Sequence, residues 1–172
     1  MNLRFTIWSF TALLLLFTSC SDRVKDNLGD ATNFLKVTVD DKVEIYNNVS
    51  ARWIAGGNSL EIRGTRDGSS WMTISILAKD NSVSVGRYTL DDSSPYDMLA
   101  TYSRLENNQQ FNFTATRGTI ALSDDFTLEI EDMNEHTVEG SFSGTLIAVQ
   151  GLNVIDSVVL KDGSFTTSIN AE

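Results

Sequence analysis

The chain has 172 residues, one cysteine, one histidine and a formal net charge of −10. Nucleic acids select basic protein surfaces, so this acidity argues against a nucleic-acid partner. A single cysteine allows no internal disulfide and no zinc site built on cysteines, and a single histidine allows no multi-histidine metal site.

The first 20 residues have the pattern of an export signal. Arg4 precedes a mostly apolar run over 5–17, and Thr18-Ser19-Cys20 follows that run. A positive start, an apolar stretch and small residues before a cleavage point are typical of a secretory signal. Because the only cysteine stands at this point, the pattern resembles a bacterial lipoprotein signal, in which a lipid is attached to the cysteine and the chain is cut just before it.

Two alternatives to lipidation remain open. A transmembrane anchor needs about 20 apolar residues, and the run over 5–17 is shorter and contains Thr and Ser. An ordinary secretory signal with an incidental cysteine is the second alternative. Lipoprotein signals usually have Leu three residues before the cysteine, whereas this chain has Phe17 there. We expect a lipoprotein signal peptide over 1–19 and a lipid on Cys20, which attaches the protein to a membrane.

Cleavage before Cys20 would remove 19 of the 172 residues and leave 153, the size of one ordinary domain. Arg4 would leave with the signal, so 12 basic and 23 acidic residues would give a net charge of −11. Residues 20–33 are polar and are expected to form a flexible tether. Ser21 rather than Asp follows the cysteine. By resemblance to lipoprotein sorting in many Gram-negative bacteria, this favours the outer membrane, on either its periplasmic or its outward side.

From Phe34 onward, apolar and polar residues alternate, and turn signals recur about every ten residues. These signals are Asp40-Asp41, Gly56-Gly57-Asn58, Asp67-Gly68, Asn107-Asn108, Gln150-Gly151 and Asp162-Gly163. The pattern predicts one all-β domain over 34–170, an antiparallel β-sandwich or partly closed barrel of about ten short strands. Asp162-Gly163 is predicted to be the turn of a closing hairpin.

Two segments depart from the simple alternating pattern. Residues 96–104 combine helical spacing of Met98 and Tyr102 with β-forming residue types, and the neighbouring β signals favour a strand. The long strand that begins at Thr137 has Gly140 and Gly144 on its apolar face. Glycines at such positions indicate a bend or a close neighbour.

Four motifs together resemble small Bacteroidota lipoproteins of unknown function. They are Gly86-Arg87-Tyr88-Thr89-Leu90, Arg117-Gly118-Thr119-Ile120-Ala121-Leu122, Gly140-Ser141-Phe142-Ser143-Gly144-Thr145-Leu146 and Leu160-Lys161-Asp162-Gly163-Ser164-Phe165. The resemblance covers roughly 34–169 and consists of a G-x-Y strand, a strand that opens with Gly, a G-x-F-x-G strand and a D-G-x-F hairpin. It implies an all-β exported lipoprotein and no active-site residue.

Candidate catalytic groups are few. His136 lies in a predicted Asn-Glu-His-Thr loop without a nucleophile motif nearby, so an exposed loop histidine is the simpler interpretation than part of a triad. Acidic residues cluster in three predicted loops, at 91–97, 124–125 and 131–135. Such loops could bind calcium or supply a glycosidase pair, but carboxylates at strand ends are also ordinary turn chemistry. We therefore assign no metal, cofactor or catalytic residue.

Aromatic residues offer another candidate ligand site. Trp71 lies on the strand face opposite to Met72 and Ile74, so it is the best candidate for an exposed stacking residue. Tyr96, beside Pro95 in a predicted loop, and Trp53 are further candidates, whereas a β-sandwich would equally bury aromatics in its core.

The sequence therefore favours a non-catalytic, lipid-anchored envelope protein that uses its β domain for binding a protein partner or for surface assembly. The alternative is a glycan-binding module of an outer-membrane system that uses Trp71, Tyr96 or Trp53.

Overall fold

The computed structural model describes residues 33–79, 82–90, 94–117 and 123–170. The predicted signal peptide over 1–19, Cys20 and the tether up to residue 32 lie outside these residues. The predicted strand over 119–122 and the acidic residues Asp91 and Asp92 also lie outside them.

Every regular element of the described residues is a β-strand, which confirms the predicted all-β class. No helix in this part of the chain could cross a bilayer. The ambiguous segment at residue 96 is a strand, as the sequence favoured. The eleven strands are β1 Phe34–Val39, β2 Lys42–Tyr46, β3 Asn48–Ile54, β4 Ser59–Arg66, β5 Ser70–Ala78, β6 Gly86–Thr89, β7 Tyr96–Glu106, β8 Gln109–Thr116, β9 Asp125–Met133, β10 Thr137–Gln150 and β11 Asn153–Asn170.

All strands belong to one sheet, in the order β2-β1-β11-β3-β4-β5-β7-β8-β10-β9-β6. An additional pairing between β10 and β11 joins two strands that are far apart in this order, so the sheet is partly ring-like. Neighbouring strands are antiparallel except at the end of β11, where Ile169 and Asn170 pair in parallel with Ala51 and Arg52 of β3.

Two-residue turns connect several neighbouring strands as the sequence predicted. Asp40 and Asp41 between β1 and β2 have φ of 45° and 65°, and Asn107 and Asn108 between β7 and β8 have φ of 50° and 63°. Asp and Asn tolerate this left-handed conformation, and tight hairpins need it because it matches the twist of the strands.

The predicted hairpin at Asp162-Gly163 is wrong, because both residues lie inside β11, which runs for 18 residues. Asp162 has φ of 51° and marks a β-bulge. At this point the pairing of β11 shifts against both neighbours, between Phe142 and Gly144 of β10 and between Lys36 and Thr38 of β1. The bulge changes the course of the strand without ending it.

The inward glycines of β10 have a close neighbour, as expected. A Cβ atom at Gly140 would collide with the carbonyl oxygen of Glu129, and one at Gly144 would collide with the carbonyl oxygen of Asp125. Only glycine lets β9 approach β10 this closely.

Alternating residues divide the sheet into two faces. The inner face carries the buried core, whose largest fully buried side chains include Tyr46, Tyr102, Phe113, Phe126 and Phe165. The outer face carries the residues that alternate with the core residues along each strand, and most of these are polar.

Candidate functional site

Trp71 lies on the outer face, as the strand pattern predicted, but it is half-buried rather than fully exposed. It stands directly opposite Thr65 of β4 on one side and Ser103 of β7 on the other. Asn48 of β3 lies beyond Thr65, and Asn112 of β8 lies beyond Ser103. We call these five residues the outer row. Opposed side chains in a sheet are about 5 Å apart, so the row is a continuous polar strip with one indole ring at its centre.

The two halves of the outer row differ in how their polar groups are used. The Ser103 hydroxyl donates to Oδ1 of Asn112 at 2.7 Å, and Nε2 of Gln110 donates to the same oxygen at 2.9 Å. On the other half, Asn48 and Thr65 border a cavity of about 340 Å³ that Asn47, Arg66, Asp67 and Gly68 complete. Trp71 does not line this cavity, but its strand partner Thr65 does, so the amide, hydroxyl and carboxylate groups of the cavity begin one strand away from the indole ring.

Trp53 and Tyr96 lie on the other face of the sheet. Trp53 is opposite Leu60, and Tyr96 is opposite Ala78, so both side chains are on the inner face and pack against the core. Tyr96 starts β7 instead of lying in a loop, and its ring packs edge-on against Tyr88 at 5.0 Å. The structure therefore does not bring Trp71, Tyr96 and Trp53 together into one stacking platform.

A partly buried polar cluster, missed by the sequence analysis, surrounds Glu44 of β2. Its carboxylate accepts hydrogen bonds from the hydroxyls of Tyr46 at 2.7 Å and Tyr102 at 3.1 Å, and Arg66 lies 3.7 Å away. Burial raises the pKa of Tyr102 to about 12, and the charge of Glu44 adds to the shift. Burial likewise raises the pKa of Tyr46, which is fully buried.

The Glu44 cluster connects an edge strand to the opposite side of the core. β2 pairs only with β1 among the described strands, so the bond from Tyr102 joins this edge strand to β7 across the interior. Nearby, the guanidinium of Arg104 lies 3.1 Å from Glu106 and 3.8 Å from Asp40 and covers the ring of Phe113 at 5.2 Å. Each of these charged groups therefore lies within ion-pair or hydrogen-bonding distance of a neighbouring side chain.

The other candidates for chemistry have structural roles where the chain is described. His136 lies in an exposed loop, and its backbone oxygen accepts a bond from the amide of Ile169 at 2.7 Å. Asp124 accepts from the amide of Thr116 at 2.8 Å and pairs with Arg117 at 3.4 Å. No group of three potential metal ligands occurs within the described ranges.

The most unusual surface of the described chain is apolar. Val149, Leu152, Val154 and Ile155 surround the turn of the β10–β11 hairpin, and Leu152 and Ile155 are 76% and 62% exposed. We call these four residues the hairpin tip. β8 reaches β10 only at Ile147, so residues 149–154 pair only with one another among the described strands. The sequence also indicates this tip. Val154 and Ile155 are adjacent, so their apolar side chains point to opposite faces of the strand, and neither face near Gly151 is fully polar.

The chain matches no known protein family, no curated protein and no solved structure. A function for this protein is therefore inferred from its own residues.

Proposed function

We propose that this protein is a non-catalytic, lipid-anchored protein of the bacterial cell envelope that binds a protein partner through the hairpin tip. The observation that carries the binding proposal is the exposure of four large apolar side chains within seven residues. Soluble surfaces seldom expose contiguous apolar patches of this kind unless the patch has a partner. The pattern that ends at Cys20 supports the lipid anchor, and Ser21 supports the outer membrane.

The position of the tip supports a partner away from the point of attachment. Asn33, where the tether would enter, is bonded to Ser168 near the end of β11. The tip is at the opposite end of that strand. β11 has 18 residues, which at ~3.3 Å per residue would extend for roughly 60 Å if it were straight. Tether and tip therefore lie at opposite ends of the longest strand.

The chemistry of the tip favours protein over lipid. Asp156 is the only charged residue between 145 and 160. A peptide that binds to anionic lipid headgroups normally carries lysine or arginine next to its apolar face, and this segment has neither. The tip fits an apolar recess on a partner protein, with a neutral or basic rim near Asp156.

A photo-crosslinking amino acid at position 153 tests the proposal in intact cells, with position 110 at the exposed end of the β7–β8 hairpin as the control. We expect a discrete adduct from position 153 that is absent from position 110. The adduct should disappear when Leu152 and Ile155 are both changed to Ser. Equal crosslinking at both positions, or an adduct that survives both substitutions, would contradict a specific apolar contact.

The non-catalytic part of the proposal is supported by the pairing of two partly buried charges. Glu44 and Arg104 are tied to neighbouring side chains, and His136 lies in an exposed loop. A hydrolytic site would need a nucleophile or acid next to a positioned base, and Glu44, Arg104 and His136 do not form such a pair with one another.

A second candidate function is glycan binding at the outer row, which the cavity bordered by Asn48 and Thr65 favours. Sugars stack on aromatic faces and bond to the amide, hydroxyl and carboxylate groups that border this cavity. We expect Trp71→Ala to abolish retention of the protein in gels that contain bacterial or plant polysaccharides. Leu77→Ala, which removes another apolar side chain from β5, is the matched control. Unchanged migration of the unsubstituted protein in every such gel would exclude this candidate.

A further inference from the structure

A second cavity, of about 270 Å³, lies on the outer face where β6, β9, β10 and β11 run side by side. It is on a different part of the sheet from the outer row, and its strands have polar residues in two adjacent rows. The polar side chains that line it are Arg87, Thr127, Glu129, Ser141, Ser143 and Asp162.

The β-bulge in β11 shapes one wall of this cavity. Asp162 adopts φ of 51°, and the strand pairing shifts on both sides of it. Gly163 packs so tightly on Phe142 that a Cβ atom would lie 2.6 Å from the ring and from the backbone oxygen of Phe142. Bulges redirect a side chain out of the regular alternation, and here the redirected side chain is the carboxylate of Asp162.

The charged groups of the cavity are not used by the fold. Arg87 and Glu129 are directly opposite each other on β6 and β9 but form no ion pair. Arg52 and Glu61 have the same cross-strand arrangement on β3 and β4, and their charged atoms are 2.9 Å apart. Within the described residues, Arg87, Glu129 and Asp162 have no hydrogen-bonding or ionic side-chain partner, so all three groups are free to face a ligand.

We propose that this cavity binds a protonated amino sugar. Two carboxylates and one guanidinium give the lining a net charge of −1, which complements a ligand with one positive charge. Thr127, Ser141 and Ser143 line the space between the charged groups, and hydroxyls of this kind bond to the hydroxyls of a sugar ring. The volume is near the lower limit of ligand pockets, which suits a single sugar unit. This inference is independent of the hairpin tip and of the outer row.

Amide NMR titrations of the full chain in detergent micelles test this proposal with four probes: glucosamine, N-acetylglucosamine, glucose and cyclohexylamine. Glucosamine should shift the amide signals of residues 127–129, 141–143 and 162–163. Glucose and N-acetylglucosamine lack the charge and cyclohexylamine lacks the hydroxyls, so each should bind at least about fivefold more weakly.

Variants of Glu129 and Asp162 show whether these two carboxylates bind glucosamine. Glu129→Gln and Asp162→Asn should each weaken glucosamine binding at least about fivefold, and Asn tolerates the left-handed backbone at 162. Glu135→Gln removes the same charge from an exposed loop and should have no effect. The proposal is overturned if glucosamine causes no shifts up to about 10 mM, if all four probes bind equally, or if Glu135→Gln weakens binding as much as the other two variants.

Discussion

The two ends of the β10–β11 hairpin differ in what holds them and what they expose. At the open end, Asn33 bonds to Ser168, the amide of Ile169 bonds to His136, and Asn134 Oδ1 accepts from the amides of His136 and Thr137. At the turn end, apolar side chains are exposed, and the two strands pair only with each other.

The difference separates residues that maintain the fold from residues that are free to bind. Polar groups at the open end are bonded to one another, so changing them should alter stability. The apolar side chains of the hairpin tip contact little of the rest of the chain, so changing them should leave stability nearly unaffected and alter only binding. The expected effects on stability decrease from the β-bulge in β11 to the hairpin tip.

The largest effect is expected at the bulge, where β11 changes course between the two ends. Gly163→Val would bring side-chain atoms into the ring and backbone of Phe142. Because backbone cannot move aside cheaply, we expect a loss of about 3 kcal/mol in the free energy of unfolding, measured by urea denaturation. Ser164→Val, the next residue on the outer face, should cost less than about 0.5 kcal/mol. Equal losses for both variants would mean that close packing at the bulge is not the cause.

The second-largest effect on the free energy of unfolding is expected at the Glu44 cluster, when the pH is raised. The pKa of Tyr102 is about 12 in the folded protein against 10 in the unfolded chain. The folded state holds this proton more tightly, so the stabilisation is complete below pH 10 and is lost as the pH rises to about 12. The shift of the Tyr102 pKa corresponds to at most roughly 3 kcal/mol of stability.

Urea midpoints measured from pH 8 upward, together with the ultraviolet absorbance of tyrosinate, check this prediction. Tyr102→Phe removes the titrating group and should flatten part of the fall in stability above pH 10. Ionisation of Tyr102 at its ordinary pKa of 10 in the folded protein would show that the cluster is open to water.

A smaller loss is expected at the open end. Asn33→Ala removes the acceptor of the Ser168 amide at 2.8 Å and the donor to its hydroxyl at 3.3 Å. We expect a loss of about 1 kcal/mol. Asn170→Ala, which alters an exposed residue at the same end, should cost less than half as much. If Asn33→Ala had no effect, the chain before Phe34 would not be fixed to the domain.

The smallest effect on stability is expected at the hairpin tip. The double variant with Leu152→Ser and Ile155→Ser should change the free energy of unfolding by less than about 0.5 kcal/mol. It should also reduce the binding of a dye that fluoresces on exposed apolar surface. A loss of several kcal/mol would mean that these side chains belong to the core, and the comparison between the two ends would fail.

Local chemistry made much of this fold predictable, and long-range pairing explains what was missed. Asp40-Asp41 and Asn107-Asn108 are turns because both residues tolerate positive φ, whatever their surroundings. Asp162-Gly163 has the same local signal, but the register of β11 against β1 and β10 turns it into a bulge.

The candidate site was less predictable than the fold. Strand alternation correctly assigned Trp71 to the face opposite Met72. It could not show that Tyr96 packs on Tyr88, because that contact joins separate strands. The hydrogen bonds to Glu44 from Tyr102 and the cavity beside Asp162 likewise depend on strands far apart in sequence.

Mass spectrometry of the protein extracted from membranes is the first experiment to make, because it detects the lipid anchor itself. If the protein is lipid-anchored, its N-terminal peptide begins at Cys20 and carries the mass of a diacylglyceryl group and a third acyl chain. The Cys20→Ala variant should then be released by carbonate washing. An unmodified Cys20, or a variant that remains in the membrane after the wash, would show that the protein is not anchored through this cysteine.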